Sequence, residues 1–100
     1  MFNDLFNLID ELNISLIIGF GSKITGKKKG ISKSHDIDLI LVSDYFENKS
    51  DIKRKKSVEW KLKKKYDIIF LTNKEYISLK ENKNSIVNIA IEEGEILYYR

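Results

Sequence analysis

Residues 35–42 read His35-Asp36-Ile37-Asp38-Leu39-Ile40-Leu41-Val42, and the fold is decided there. The apolar, β-branched run from Asp36 to Val42 predicts a strand. Successive side chains of a strand leave opposite faces, so Asp36 and Asp38 leave the same one. Ile40 and Val42 continue that face as core, while Ile37, Leu39 and Leu41 cover the other. The strand is therefore buried, and only its first residues reach a rim. Two carboxylates this close repel each other unless a cation lies between them. Magnesium is the natural cation, because it takes hard oxygen ligands and shares them with substrate phosphates. Taken alone, the pair is also open to a plainer account: Asp36 as a turn residue and Asp38 as a surface charge.

Upstream, Ile14–Phe20 is a short apolar run that reads as a second buried strand, ending Gly19-Phe20-Gly21-Ser22. Gly21 lets backbone approach a ligand closely, and Ser22 offers a hydroxyl and an N–H to a phosphate oxygen. An ordinary Gly-Ser turn has the same letters. Residues 21–35 hold glycine, serine and lysine without periodicity and read as a loop. Downstream, Tyr66–Leu71 is a third strand in which Asp67 shares a face with Ile69 and Leu71. If the Asp36–Val42 and Tyr66–Leu71 strands are neighbours, Asp67 stands beside Asp36 and Asp38. Three acids there would bind one or two divalent metals, with Asp67 able to accept a proton from an attacking hydroxyl. A strand-start charge paired with a lysine is the alternative for Asp67.

Helices are predicted around these strands. Phe2, Leu5, Phe6, Leu8, Ile9 and Leu12 recur at helical spacing over residues 2–12, with Asn13 as the stop. Residues 51–64 read as a helix capped at Ser50 or Asp51, although Val58, Trp60 and Leu62 also alternate as in a strand. Thr72 with Glu75 three residues on fits a capping box, starting a helix that runs to about Glu81. Ser85 to Glu93 reads as another helix with Gly94 at its C-cap, and Ile96–Tyr99 as a last short strand. Helices and strands in this alternation make an α/β fold, a small mixed sheet flanked by helices.

One hundred residues suit one domain, spanning 1–100, and 42% apolar residues are enough for its core. No cysteine is present, which excludes a disulfide framework, a thiolate zinc site and a thiol nucleophile. A lone histidine, His35, excludes a His-rich metal cluster. No apolar run approaches the ~18 residues of a membrane span, so a soluble cytoplasmic protein is expected. Charge is uneven along the chain. Residues 21–35 carry five lysines and no acid, next to the acidic 36–48 segment. A basic loop beside an acidic strand start can hold an anion and a divalent cation side by side. Residues 49–65 hold nine bases against Asp51 and Glu59, either as a solvated surface or as a nucleic-acid contact.

Two phosphate-binding motifs fail on inspection. Gly21-Ser22-Lys23-Ile24-Thr25-Gly26-Lys27-Lys28 approaches the P-loop pattern, but Lys28 stands where a hydroxyl should hold magnesium. Gly30 and the next strand also leave no room for the helix that motif requires. Gly19-x-Gly21 lacks the third glycine of the dinucleotide fingerprint.

The order of parts is specific: strand, Gly-Ser, Gly, basic loop, Asp-x-Asp strand, third acid on a later strand. It resembles the nucleotidyltransferase domain of the DNA polymerase β superfamily. Within that superfamily it resembles the minimal nucleotidyltransferases, small proteins encoded beside HEPN-domain toxins. The matching residues are Gly21-Ser22-Lys23-Ile24-Thr25-Gly26, then His35 to Val42, then Tyr66-Asp67-Ile68-Ile69-Phe70-Leu71-Thr72-Asn73-Lys74-Glu75, with Glu93-Gly94-Glu95-Ile96-Leu97-Tyr98 as a familiar ending. The resemblance implies a nucleotidyltransferase fold. It implies that Gly21, Ser22 and Lys23 hold nucleotide phosphates, that Asp36 and Asp38 ligate magnesium, and that Asp67 is the third acid. It implies transfer of AMP from ATP to a hydroxyl, typically a tyrosine of the HEPN toxin, with the chain as antitoxin. Thirteen residues separate Ser22 from Asp36, more than is usual in that family, and Thr25 stands where arginine is common. Lys23 or Lys27 is expected to replace that phosphate contact.

A chain this short leaves no room for an acceptor-binding domain, so a partner protein is expected to complete the cleft. Tyr98, Tyr99 and Phe46 are candidates for that contact, with core packing the alternative for Phe46. Three other functions stay open: a non-catalytic module that neutralises its partner by occlusion, a nucleic-acid-binding protein using the 49–65 lysines, and a small-molecule nucleotidyltransferase.

Overall fold

The computed structural model describes residues 3–21, 37–63 and 65–100. Four strands form one sheet: β1 (Leu16–Phe20), β2 (Ile37–Val42), β3 (Tyr66–Leu71) and β4 (Glu95–Tyr99), in the order β3-β2-β1-β4. β1 runs antiparallel to β2 and β4, and β2 runs parallel to β3, so the sheet is mixed. Among the described residues five helices surround it: α1 (Asn3–Phe6), α2 (Leu8–Glu11), α3 (Asp51–Glu59), α4 (Asn73–Lys80) and α5 (Ile86–Glu93). A short 3-10 turn, Asp44–Phe46, follows β2.

Alternation along the strands divides the core into two layers, as β2 predicts. On one face Leu39, Leu41 and Ile17 pack with Leu5, Leu8, Leu12, Phe46 and Val58. On the other, Ile40, Val42, Leu16 and Ile18 pack with Leu71, Val87 and Ala90. Each such side chain contributes about 1.5–3 kcal/mol when fully buried. Phe46 is one of them, packed edge-on against Phe70, so its role is in the core.

The N-terminal helix divides. α1 and α2 meet at Asn7, which keeps helical backbone but is a weak helix former. Leu5, Leu8 and Leu12 still face the core, and Asn13 ends the segment at φ 51°, a conformation asparagine tolerates. α3 stops at Glu59, short of the predicted residue 64. Beyond it the backbone N–H of Lys63 donates to Asp4 at 3.0 Å, which draws the chain off the helical path. The strand-like alternation there is not realised: Val58 is buried while Trp60 is 76% exposed.

Two helix starts follow their sequence signals closely. Ser50 caps α3 by accepting from the Lys53 N–H. Thr72 and Glu75 form the reciprocal capping box of α4. Gly94 closes α5, but not through the left-handed conformation expected of a C-cap glycine; its backbone is extended. Its requirement is space. A Cβ there would lie under 3.0 Å from the carbonyl oxygens of Gly19 and Ala90. Among the described residues no helix is long and apolar enough to cross a membrane.

Candidate active site

The parallel pairing of β2 with β3 brings the predicted acids together. Asp38 is in register with Asp67. In-register residues of adjacent parallel strands share a face, and the strands lie ~4.8 Å apart. That face is the one built from Ile40, Val42, Ile69 and Leu71. Each acid is the second residue of its strand, Asp38 in β2 and Asp67 in β3. Asp38 is half-buried and Asp67 exposed.

The end of β1 meets the same rim. Phe20 is the antiparallel partner of Asp38, so Phe20, Asp38 and Asp67 form one row across three strands. Gly21 follows with φ +82°, in the left-handed region that favours glycine. A Cβ on Gly21 would collide with the Asp38 carboxylate. The glycine is thus required twice, by its backbone and by the carboxylate lying over it. Phe20 was not legible as a site neighbour in the sequence, because its face depends on the pairing with β2. The signal available was its position one residue before the predicted phosphate-binding glycine.

Tyr66, beside Asp67 in sequence, is no candidate base. It points to the other face, and its hydroxyl donates to Asp4 Oδ1 at 2.9 Å. Burial first, then the hydrogen bond and charge of Asp4, push its phenol well above the ordinary 10.0. It therefore stays protonated at any physiological pH. The alternative for Asp67, a lysine partner, is not seen among the described residues. Their ion pairs are Arg54–Glu75, Lys55–Glu59 and Lys61–Glu11.

Ser22, Lys23, His35 and Asp36 lie outside the described residues. Within the described residues, Asp38, Asp67 and Gly21 come together, and no group of three metal-binding side chains occurs. Carboxylate oxygens from adjacent strands on one face are hard donors of the type magnesium takes, and Gly21 makes room for the Asp38 carboxylate.

The lysine-rich block contains a residue that its composition conceals. Arg54 is buried and donates to the carbonyls of Lys49 and Phe70, both at 2.9 Å, and to Glu75 at 2.7 Å. Its guanidinium ties α3, β3 and α4 together at the end of the sheet opposite the acids. The Arg54 hydrogen bond is the main reason the Glu75 carboxyl is held below its usual range, against the opposing effect of burial. Tyr98 also departs from expectation: it is half-buried against the core rather than exposed, whereas Tyr99 is exposed.

No family model matches the chain, and no curated protein sequence matches it. Among solved structures it is similar to the crystal structure of a protein from Sulfolobus solfataricus described as a "putative nucleotidyltransferase". The likeness covers 100% of this chain and 81% of that one, with a TM-score of 0.60 and 18% sequence identity. At that identity the likeness is one of fold. The helix-flanked mixed sheet whose rim carries Asp38 and Asp67 is a nucleotidyltransferase-like fold.

Proposed function

We propose that the chain is a magnesium-dependent nucleotidyltransferase that moves AMP from ATP to a hydroxyl of a partner protein. One observation carries the proposal: Asp38 and Asp67 stand in register on adjacent parallel strands, on one face, with Gly21 beside them. Asp36, Asp38 and Asp67 would hold magnesium, which when bound neutralises triphosphate charge and lowers the barrier to attack on phosphorus. Gly21, Ser22 and Lys23 would position the phosphates. The acceptor oxygen attacks the α-phosphorus, its proton passes to Asp67, and the bond to the leaving pyrophosphate breaks. Phe20 supplies an apolar wall beside Asp38 that limits where a nucleotide can lie.

The identity of the acceptor, a tyrosine on a HEPN-type toxin, and the role of antitoxin are supported by the sequence resemblance alone. The chain is incubated with labelled ATP, magnesium and a HEPN protein encoded beside it. Label on the partner that disappears with chelator and in Asp36→Asn/Asp38→Asn is the expected result. The longer segment between Ser22 and Asp36 favours a second reading, neutralisation by occlusion. Neutralisation that survives the double substitution, with no label transferred, establishes that reading instead.

A further inference from the structure

Among the described residues β4 is an edge strand, and it carries neither proline nor lysine, two of the common guards of an exposed edge. Ile96 is 63% exposed and Tyr99 77%. Both lie on the face beneath α5, because Ile96 is opposite Ile18 and Tyr99 opposite Leu16. A regular strand would place residues three apart on opposite faces. Here the register shifts between Ile17 and Ile18, and Leu97 is the extra residue. Leu97 and Tyr98 consequently both pack on the other core layer.

The bulge gives the strand a symmetric pattern. Glu95 opposes Gly19, and Arg100 continues the ladder by donating its N–H to Ser15 at 3.1 Å. Taken in order from Glu95 to Arg100, with the α5 side of the sheet as the upper face, the faces run lower, upper, lower, lower, upper, lower. That series reads the same in both directions. A second copy laid antiparallel about a two-fold axis between Leu97 and Tyr98 would match every residue with one on its own face. Ile96 would meet the partner's Tyr99, a β-branched–aromatic pair, and Glu95 would meet the partner's Arg100, an opposite-charge pair. Without the bulge that register would set each upper residue against a lower one.

α5 adds apolar surface next to the edge. It packs over β1, and α4 packs over β3. Asn88 donates to the Lys80 carbonyl of α4, which fixes the inner flank of α5. At 100° per residue, Ile86 falls on the opposite flank, toward β4, with Ile89 beside it; both are exposed. We propose that the β4 edge is a self-association surface, through which two copies join their sheets across a two-fold axis while α5 covers the seam. An isologous contact of this kind needs self-complementarity, and the palindromic face pattern with oppositely charged ends supplies it.

The test measures the mass of the full chain by sedimentation over a dilution series. A reversible dimer is expected. Ile96→Lys should weaken it by at least ~30-fold, as for a central contact. Glu95→Lys should weaken it by up to ~5-fold, and Arg100→Glu added to it should restore the loss. The chain has no cysteine, so register can be read directly. Ile96→Cys mixed with Tyr99→Cys should give an oxidised heterodimer, and Ile96→Cys alone should not. Circular dichroism of each variant separates a lost dimer from a lost fold. A monomer at every concentration, a dimer indifferent to Ile96→Lys, or cross-linking without register preference would overturn the proposal. Nucleotide transfer is not measured, so the outcome stands apart from the proposed activity.

Discussion

At the rim where β2 and β3 begin, Asp38 and Asp67 stand side by side with like charge. At the end where the same strands finish, Arg54 and Glu75 meet with opposite charge. The finishing end is laced together. Arg54 satisfies two carbonyls and a carboxylate, Ser43 donates to the Leu12 carbonyl, and Ser15 donates to Asn73 at 2.9 Å. Each of these side chains serves another group of the protein. The beginning end instead sets two carboxylates side by side on adjacent strands. One end of the sheet joins opposite charges, and the other gathers like ones.

The largest expected effect tests the rim. Asp67→Asn should lower the AMP transfer rate by ~10²–10⁴-fold, the range for a lost proton acceptor. Denaturant unfolding of the same variant should show stability unchanged or raised, since a like charge has gone. A fall in stability would erase the contrast between the two ends.

Arg54→Ala should act the other way. It leaves the Phe70 carbonyl buried without its donor and should cost about 2–3 kcal/mol in urea unfolding. Arg54→Met keeps the apolar stem, so it separates lost packing from lost hydrogen bonds. Replacing Gly94 by Ala, which forces a Cβ against two backbone carbonyls, should cost about 1–3 kcal/mol by the same measurement. Gly21→Ala strains the rim instead and displaces the Asp38 carboxylate, so its main effect should be on transfer.

Glu75→Gln should be the smallest change, under about 1 kcal/mol, because the Glu75 side chain is 44% exposed and solvent screens its pairing. Its sign follows from linkage. The folded-state pKa lies below the ordinary 4.5, so the ionised form stabilises the fold. The advantage of Glu75 over glutamine is fully present above pH 4.5. It is lost as pH falls through the lowered folded-state value. Unfolding curves of the two proteins at stepped pH should converge toward acid.

Local signals were legible wherever short-range chemistry dominates. The capping box at Thr72 and Glu75, the cap at Ser50 and the limits of β3 follow from neighbouring residues, and the structure places them as expected. The two faces of β2 were legible too, since alternation is a property of extended backbone. Arg54 was hidden within a run of lysines, because its burial depends on the distant Phe70 carbonyl and on Glu75. The early stop of α3 depends likewise on Asp4, far away in sequence.

Residue type and spacing alone place Asp38 and Asp67 near strand starts and a glycine just after β1, because they govern backbone locally. The parallel pairing of β2 with β3, in a register that sets Asp38 beside Asp67, arises only on folding. Strand pairing is a contact between segments far apart in the chain. It is selected by which faces bury together, and no local pattern specifies that choice.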